Sequence, residues 1–332
     1  MSFSFINELI LSVVIGITQG VTEFLPISST AHIRLVSDLF VGKDIGLATS
    51  NFIQFGTLIA IIQFYWLDLV VIAKRLVVLV SKPSQLSIFL ARFQRWFKKT
   101  LTEEDKKLGT VDIQLAQIII ATIPIVIAAL VFRNVVEELR VNIANIGIFL
   151  LAGAALIFAA ESVYSYRQSK LTPDETSQNK TESNNAEFSF SEVLTIGLFQ
   201  ALAVFPGMSR SGSTLAGALF LGRNRMEAVR FSFLLSIPAI GLASLSDSIK
   251  LVNSFFDGKF GFLPSANSWI DKEVNLSVLS LIVGFALSYV IGFACLKWLL
   301  KFLSNHTSFV FIIYRILLAS VIFAVLFTGL LK

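Results

Sequence analysis

The sequence is poor in the residues that build metal clusters and disulfide frameworks. Among 332 residues it has one cysteine, Cys295, and two histidines, His32 and His306. A single cysteine allows no internal disulfide, and no Cys/His set is large enough for a structural zinc site. Charge is scarce as well. Only 15% of residues are Asp, Glu, Lys or Arg, against about 25% in a soluble domain, so a water-facing globule could not cover its surface. The formal charge of +5 suits basic loops beside a membrane better than a nucleic-acid partner. No Lys or Arg precedes Arg34, so the first apolar stretch lacks the basic start of a signal peptide. What is abundant is apolar: 55% hydrophobic residues, 31 Phe and a mean hydropathy of +0.77. These proportions exclude disordered and collagen-like chains and specify a polytopic membrane protein.

A spanning helix needs about 20 mostly apolar residues. Six stretches qualify: Ile45–Trp66, Asp112–Phe132, Asn142–Val163, Phe231–Ile249, Leu276–Leu300 and Ser308–Leu330. Two others break midway. Glu8–Leu25 stops at Pro26 and a Ser-Ser-Thr run before continuing to Val41, and Phe190–Phe205 stops at Pro206-Gly207 before continuing to Leu221. Each arm is about half a membrane long, which reads as a re-entrant hairpin; such backbone is tolerated only where protein or a water-filled cavity surrounds it. Counting Lys and Arg places residues 67–111 in the cytoplasm with an interfacial helix over Leu67–Val80. Six crossings then give 17 basic residues on the cytoplasmic side and 8 outside, with both termini outside. Arg210 and Arg315 fall at membrane depth.

The two hairpins resemble each other. Ile15-Gly16-Ile17-Thr18-Gln19-Gly20 aligns without gaps on Ile196-Gly197-Leu198-Phe199-Gln200-Ala201, and the same offset pairs Phe24 with Phe205, Ser28 with Ser209 and Phe52 with Phe233. Three crossings between equivalent points would invert the second copy. The expected fold is an all-α membrane helix bundle of about six transmembrane helices plus two re-entrant hairpins in an inverted repeat. Residues 1–166 form the first repeat, with hairpin 8–41. A polar linker covers 167–189. Residues 190–332 form the second repeat, with hairpin 190–222. Inverted repeats of this kind place substrate sites where the two halves meet.

The polar residues concentrate at the hairpin tips. Gln19 and Glu23 lie four apart on one helical face. Ser28, Ser29 and Thr30 follow the break and offer hydroxyl caps to a half-helix starting near Thr30, which carries His32. Ionisable groups at this depth are costly and mark function. The competing reading makes Glu23 and the serines partners of the broken backbone only. In the second tip, Pro206-Gly-Met-Ser-Arg-Ser-Gly-Ser-Thr214, glycines admit close approach of a ligand. Free N–H groups ahead of a helix starting near Ser213 would bind an anion, and Arg210 adds a planar fork of donors suited to phosphate. The competing reading pairs Arg210 with Glu23 structurally. The Gly-Lys-Ser/Thr ending of a P-loop is absent.

Gln19-Gly-Val-Thr-Glu23-Phe-Leu-Pro-Ile-Ser-Ser29-Thr-Ala-His32 and Phe205-Pro-Gly-Met-Ser-Arg210-Ser-Gly resemble the two signature motifs of the undecaprenyl-diphosphatase (bacitracin-resistance) family. Asn51-Phe-Ile-Gln54, Phe231–Pro238 and Tyr314-Arg315 also fit its pattern. The resemblance implies a bacterial plasma-membrane acid-anhydride hydrolase with a site opening outward. It would cleave undecaprenyl diphosphate to the monophosphate and recycle the lipid carrier of peptidoglycan synthesis. The resemblance also implies a divalent cation, Mg²⁺ or Ca²⁺. Bacitracin would compete by binding the substrate; no nucleic acid is expected, and a homodimer is left open.

Carried over by position, the catalytic candidates are Glu23, Ser29, His32 and Arg210. The substrate-binding candidates are Gln19, Ser28, Thr30, Gln54, Gly207, Ser209, Ser211, Gly212, Ser213 and Thr214. Glu23 and Gln19 are the metal candidates. Gln19 stands where the family's first acidic residue is common, and an amide is a poorer ligand and no base. Ala31 stands where Gly is frequent. Ser29 or water would attack the terminal phosphorus with His32 as proton acceptor, and Glu23 would orient His32 or help hold the metal. The rivals are a phosphatase with a histidine nucleophile, which wants two histidines at the site; a transporter or flippase for a polyprenyl phosphate or other anion; and a structural membrane protein.

Overall fold

The computed structural model describes residues 5–42, 44–102, 105, 109–170, 188–256 and 276–329. Most of the expected linker and of the outer segment 250–275 lies outside the described residues. Among those described there are thirteen α-helices, one short 3₁₀ turn and no strand. This is the expected outcome for a chain that must satisfy its backbone groups internally in hydrocarbon. The helices are α1 (Phe5–Thr22), α2 (Ser29–Val41), α3 (Leu47–Phe64), α4 (Trp66–Ser81), α5 (Pro83–Phe97), α6 (Thr110–Val131), α7 (Arg133–Val141), α8 (Ile143–Ser169), α9 (Phe190–Ala201), α10 (Arg210–Phe220), α11 (Arg225–Phe256), α12 (Val278–Leu303) and α13 (Phe309–Phe327).

Five of these, α6, α8, α11, α12 and α13, are each long and apolar enough to cross a membrane. The expected first span ends at Tyr65, where α4 departs from α3 at an angle of 85°. The expected interfacial helix is thus a separate element, α4. Residues 83–97 and 133–141, read from sequence as loop, are also helical. Pro83 begins α5, where its missing N–H costs nothing. The turn from α4 into α6 is braced by charge: Asp112 takes both Arg75, in a two-point contact, and Arg92 (2.8 Å).

Both broken stretches fold as helical hairpins, α1–α2 and α9–α10, and they enter from opposite ends of the bundle. At one end the Glu8 carboxylate accepts the Ser277 N–H, and Arg140 meets Asp44 at 3.1 Å. At the other the Phe188 carbonyl accepts Trp96 Nε1 (2.9 Å) and Gln117 Nε2 (2.8 Å) just before α9 begins. The first arm of each hairpin packs against a long helix of the other half, α1 on α12 and α9 on α6. Glycine makes both contacts close. A Cβ on Gly16 would lie 2.5 Å from the Gly284 carbonyl oxygen, and one on Gly197 would lie 2.8 Å from that of Ala121. These two glycines are equivalent in the alignment of the hairpins. Cys295 is half-buried on α12 rather than fully enclosed.

Candidate active site

The two hairpin tips meet. Ser211 Oγ, on the second, donates to the Leu25 carbonyl of the first (3.1 Å). Arg315, fully buried on α13, ties them together. Its Nη1 donates to the Pro26 carbonyl (3.2 Å), its Nη2 to those of Gly207 (2.8 Å) and Met208 (3.1 Å), and its Nε to Leu150 on α8 (3.1 Å). Backbone carbonyls freed by the breaks at Pro26 and Pro206 are thereby satisfied in one place. Gly207 has φ 106°, and a Cβ there would sit 2.5 Å from the Ile146 carbonyl oxygen, so the second tip admits only glycine.

Glu23 is the centre of the site. Its Oε2 accepts Gln19 Nε2 (2.7 Å) and the Ser29 hydroxyl (2.9 Å), while Oε1 accepts Gln54 Nε2 (2.9 Å) and Arg210 Nη2 (2.8 Å). Four residues from four helices or tips therefore converge on one carboxylate. Arg210 also reaches the Ser236 carbonyl (3.4 Å), and its buried Nε–H has no partner among the described residues. The Arg210 guanidinium borders a cavity, and its planar charged donors suit an anion oxygen. That cavity, of about 190 Å³, has a polar wall of Glu23, Ser28, Ser29, Thr30, Gln54, Gly207, Ser209 and Arg210. The opposite wall is apolar, with Ile125 from α6 and Ile240 and Ala243 from α11.

Several expectations are corrected. The hydroxyls of the first tip do not cap α2: Ser28 occupies the N-cap position at φ 73° with no side-chain bond, and Ser29 turns to Glu23 instead. Helix α10 begins at Arg210, three residues before the expected start, and Ser209 Oγ accepts the Gly212 N–H (3.2 Å). Gly212, Ser213 and Thr214 are buried in packing and do not line the cavity, nor does Ser211. Thr214 Oγ1 donates back to the Arg210 carbonyl (2.9 Å).

His32 is not bonded to Glu23 or Ser29. Its Nδ1 donates to the Ser28 carbonyl (2.7 Å), which leaves Nε2 to accept the Tyr314 hydroxyl (2.7 Å). The two rings stack 5.5 Å apart. The sequence marked Tyr314-Arg315 as a matching pair but gave neither a partner; a lone arginine in an apolar helix was the available signal. Among the described residues no three His, Cys, Asp or Glu side chains cluster as metal ligands.

Residues 12–321 match the family model described as bacitracin resistance protein BacA. The chain belongs to that family. It is similar to the undecaprenyl-diphosphatase of Chlorobium limicola, at 35% identity over 96% of this chain and 97% of that relative. It is likewise similar to the undecaprenyl-diphosphatase of Myxococcus xanthus (32%, covering 97% and 90%) and to undecaprenyl-diphosphatase 1 of Corynebacterium jeikeium (33%, covering 96% and 94%). In this BacA-family chain both signature motifs thus lie at the hairpin tips, with Glu23 and Arg210 in direct contact.

Proposed function

We propose that this chain is a multi-pass membrane phosphatase that hydrolyses undecaprenyl diphosphate to undecaprenyl phosphate and orthophosphate. It recycles the lipid carrier of cell-wall synthesis and so confers bacitracin resistance. The observation that carries the reading is the cavity between the tips, lined by the Ser29 hydroxyl, the Glu23 carboxylate and the Arg210 guanidinium together with apolar Ile125 and Ile240. A diphosphate headgroup on a prenyl chain matches both walls. We place the protein in the bacterial plasma membrane with this cavity opening to the outer face, in keeping with the excess of basic residues on the opposite side. Bacitracin then competes for the lipid substrate rather than for the protein.

In the proposed reaction the Ser29 oxygen attacks the terminal phosphorus, and the bond from that phosphorus to the bridging oxygen breaks. Undecaprenyl phosphate leaves with the bridging oxygen, and water then releases orthophosphate from the serine. Glu23, which already accepts the Ser29 O–H, is the better-placed proton acceptor for the first step. This departs from the assignment of His32, whose Nε2 faces Tyr314; His32 holds the Ser28 backbone in place instead. Arg210 binds the terminal phosphoryl oxygens and stabilises the charge that develops on them. Glu23 and the carboxamide oxygens of Gln19 and Gln54 form an oxygen-rich donor set, since either amide can present its oxygen by a flip. That set fits Mg²⁺ or Ca²⁺ completed by substrate phosphates. A bound cation would neutralise phosphoryl charge.

The test is phosphate release from the purified protein in detergent, given undecaprenyl diphosphate and a divalent cation. A phosphatase turns over without any membrane gradient, and a transporter releases nothing. Absence of orthophosphate from a folded sample overturns the reading.

A further inference from the structure

A second cavity, of about 140 Å³, adjoins the first. Ser29, Thr30, Gln54 and Ala203 line both, so they form the partition between them. On its far side the second cavity is lined by Ser50 and Asn51 at the start of α3 and by Arg140 at the end of α7. These residues belong to the end of the bundle where Arg140 meets Asp44 and where the Arg140 carbonyl accepts Arg34 Nη1 (3.0 Å). Among the described residues no carboxylate lines the cavity. Asp44 holds Arg140 from outside it, at 3.1 Å. Hydroxyls, carboxamides and one guanidinium around a space without acidic side chains make a chamber for an anion. Both cavities carry apolar residues, Ile125 and Ile240 in the first and Ile33 and Val136 in the second. They differ in charge, since the first is lined by Glu23 and Arg210 together and the second by Arg140 without a carboxylate among the described residues.

We propose that the second cavity is a phosphate subsite that takes orthophosphate after cleavage and holds it on its way out of the bundle. The proposal rests on the phosphatase reading above. In the reaction proposed there, the phosphoryl group is carried by Ser29, a residue of the partition. Its release by water therefore delivers orthophosphate on either side of Ser29. One side is where the lipid monophosphate stays, anchored by its prenyl chain against Ile125 and Ile240. The other side carries Arg140, Ser50 and Asn51 beside the apolar Ile33, Val136 and Val204, and among the described residues no carboxylate lines it to repel a small anion. Separating the two products in this way prevents the small anion from waiting behind the large one.

The test uses the full-length purified protein with orthophosphate itself as the probe, and two variants. Arg140→Gln removes the guanidinium. Ser50→Leu fills the chamber while leaving the Arg140–Asp44 and Arg34–Arg140 contacts intact, which guards against a folding defect in the first variant. Orthophosphate should raise the melting temperature of the wild type and lose that effect in both variants. In the hydrolysis assay the inhibition constant for orthophosphate should rise about tenfold or more in Arg140→Gln, the scale of one lost charge-assisted hydrogen bond. Inhibition by undecaprenyl phosphate should be unchanged. A wild type that shows no orthophosphate shift, or variants that keep the full shift, overturn the subsite. Loss of inhibition by the lipid monophosphate instead would assign the chamber to the lipid headgroup and overturn its role for the small product. Because the melting arm needs no turnover, a wild type that binds orthophosphate but hydrolyses nothing would refute the phosphatase reading alone.

Discussion

The two hairpin tips share a backbone plan and differ in what hangs on it. In each, a serine with positive φ precedes the second half-helix, Ser28 at 73° and Ser209 at 68°. The first residue of that half-helix then carries the functional group: Ser29 on one side and Arg210 on the other. At the first tip Ser28 makes no cap, and the Ser29 hydroxyl is committed to Glu23. At the second tip Ser209 does cap the helix, Ser211 reaches across to Leu25, and the rest of α10 is buried. The position equivalent to Glu23 is Val204. One tip has thus been left free for chemistry, while the other is tied down so that a single arginine is held in place. Placing a hydroxyl and a guanidinium at matching positions of opposed half-helices brings them to one carboxylate.

The largest effects should come from the first tip. Glu23→Gln removes the proposed proton acceptor, and kcat should fall about 10²–10⁴-fold. Ser29→Ala should fall as far in the same phosphate-release assay; near-normal turnover would pass the attack to water. Next comes Arg210→Lys, which keeps the charge but not the planar fork. A loss of about 10²–10³ in kcat with an unchanged melting temperature would support the clamp. The Glu23–Arg210 pair also predicts a stability pattern. Glu23→Ala and Arg210→Ala should each cost about 3–5 kcal/mol by leaving a buried charge alone, and the double variant should recover melting but not activity. Recovery together with full activity in Arg210→Lys would reduce the pair to scaffolding. Smaller still, Arg315→Met strips carbonyl partners from both tips and should cost about 1–3 kcal/mol in chemical denaturation. The finest comparison is between the serines. Ser209→Ala should cost about 1 kcal/mol as a lost cap, and Ser28→Ala, which removes no cap, should cost less in the same denaturation experiment.

Much of this was legible in the sequence, for identifiable reasons. Runs of some twenty apolar residues mark spans by length alone, and Pro26 and Pro206 each interrupt an apolar stretch that resumes beyond a polar tip. The motifs located Glu23 and Arg210 because charged groups are rare at that depth. What escaped were features that depend on three dimensions. The Ser29–Glu23 bond crosses a chain break six residues long, which no helical period describes. Arg315 has only carbonyl partners among the described residues, drawn from residues 26, 149, 150, 207 and 208, so no carboxylate signals it. Ser213 and Thr214 looked like ligand groups because the expected helix started too late; with α10 beginning at Arg210 they rotate into packing against neighbouring helices. Helices α5 and α7 are amphipathic and polar enough to pass for loops.

The apolar wall of the first cavity has a consequence for how this protein meets its reactant. Ile125, Ile240 and Ala243 belong to α6 and α11, two helices long and apolar enough to cross a membrane, so the wall lies at membrane depth. A prenyl lipid that rests against it need never pass through water. Encounter is then a search in a plane, and crowding of that plane by other lipids slows it while bulk volume does not matter. The natural unit of substrate for this protein is its mole fraction among the surrounding amphiphiles. Adding inert detergent at constant total substrate should therefore lower the rate as effectively as removing substrate.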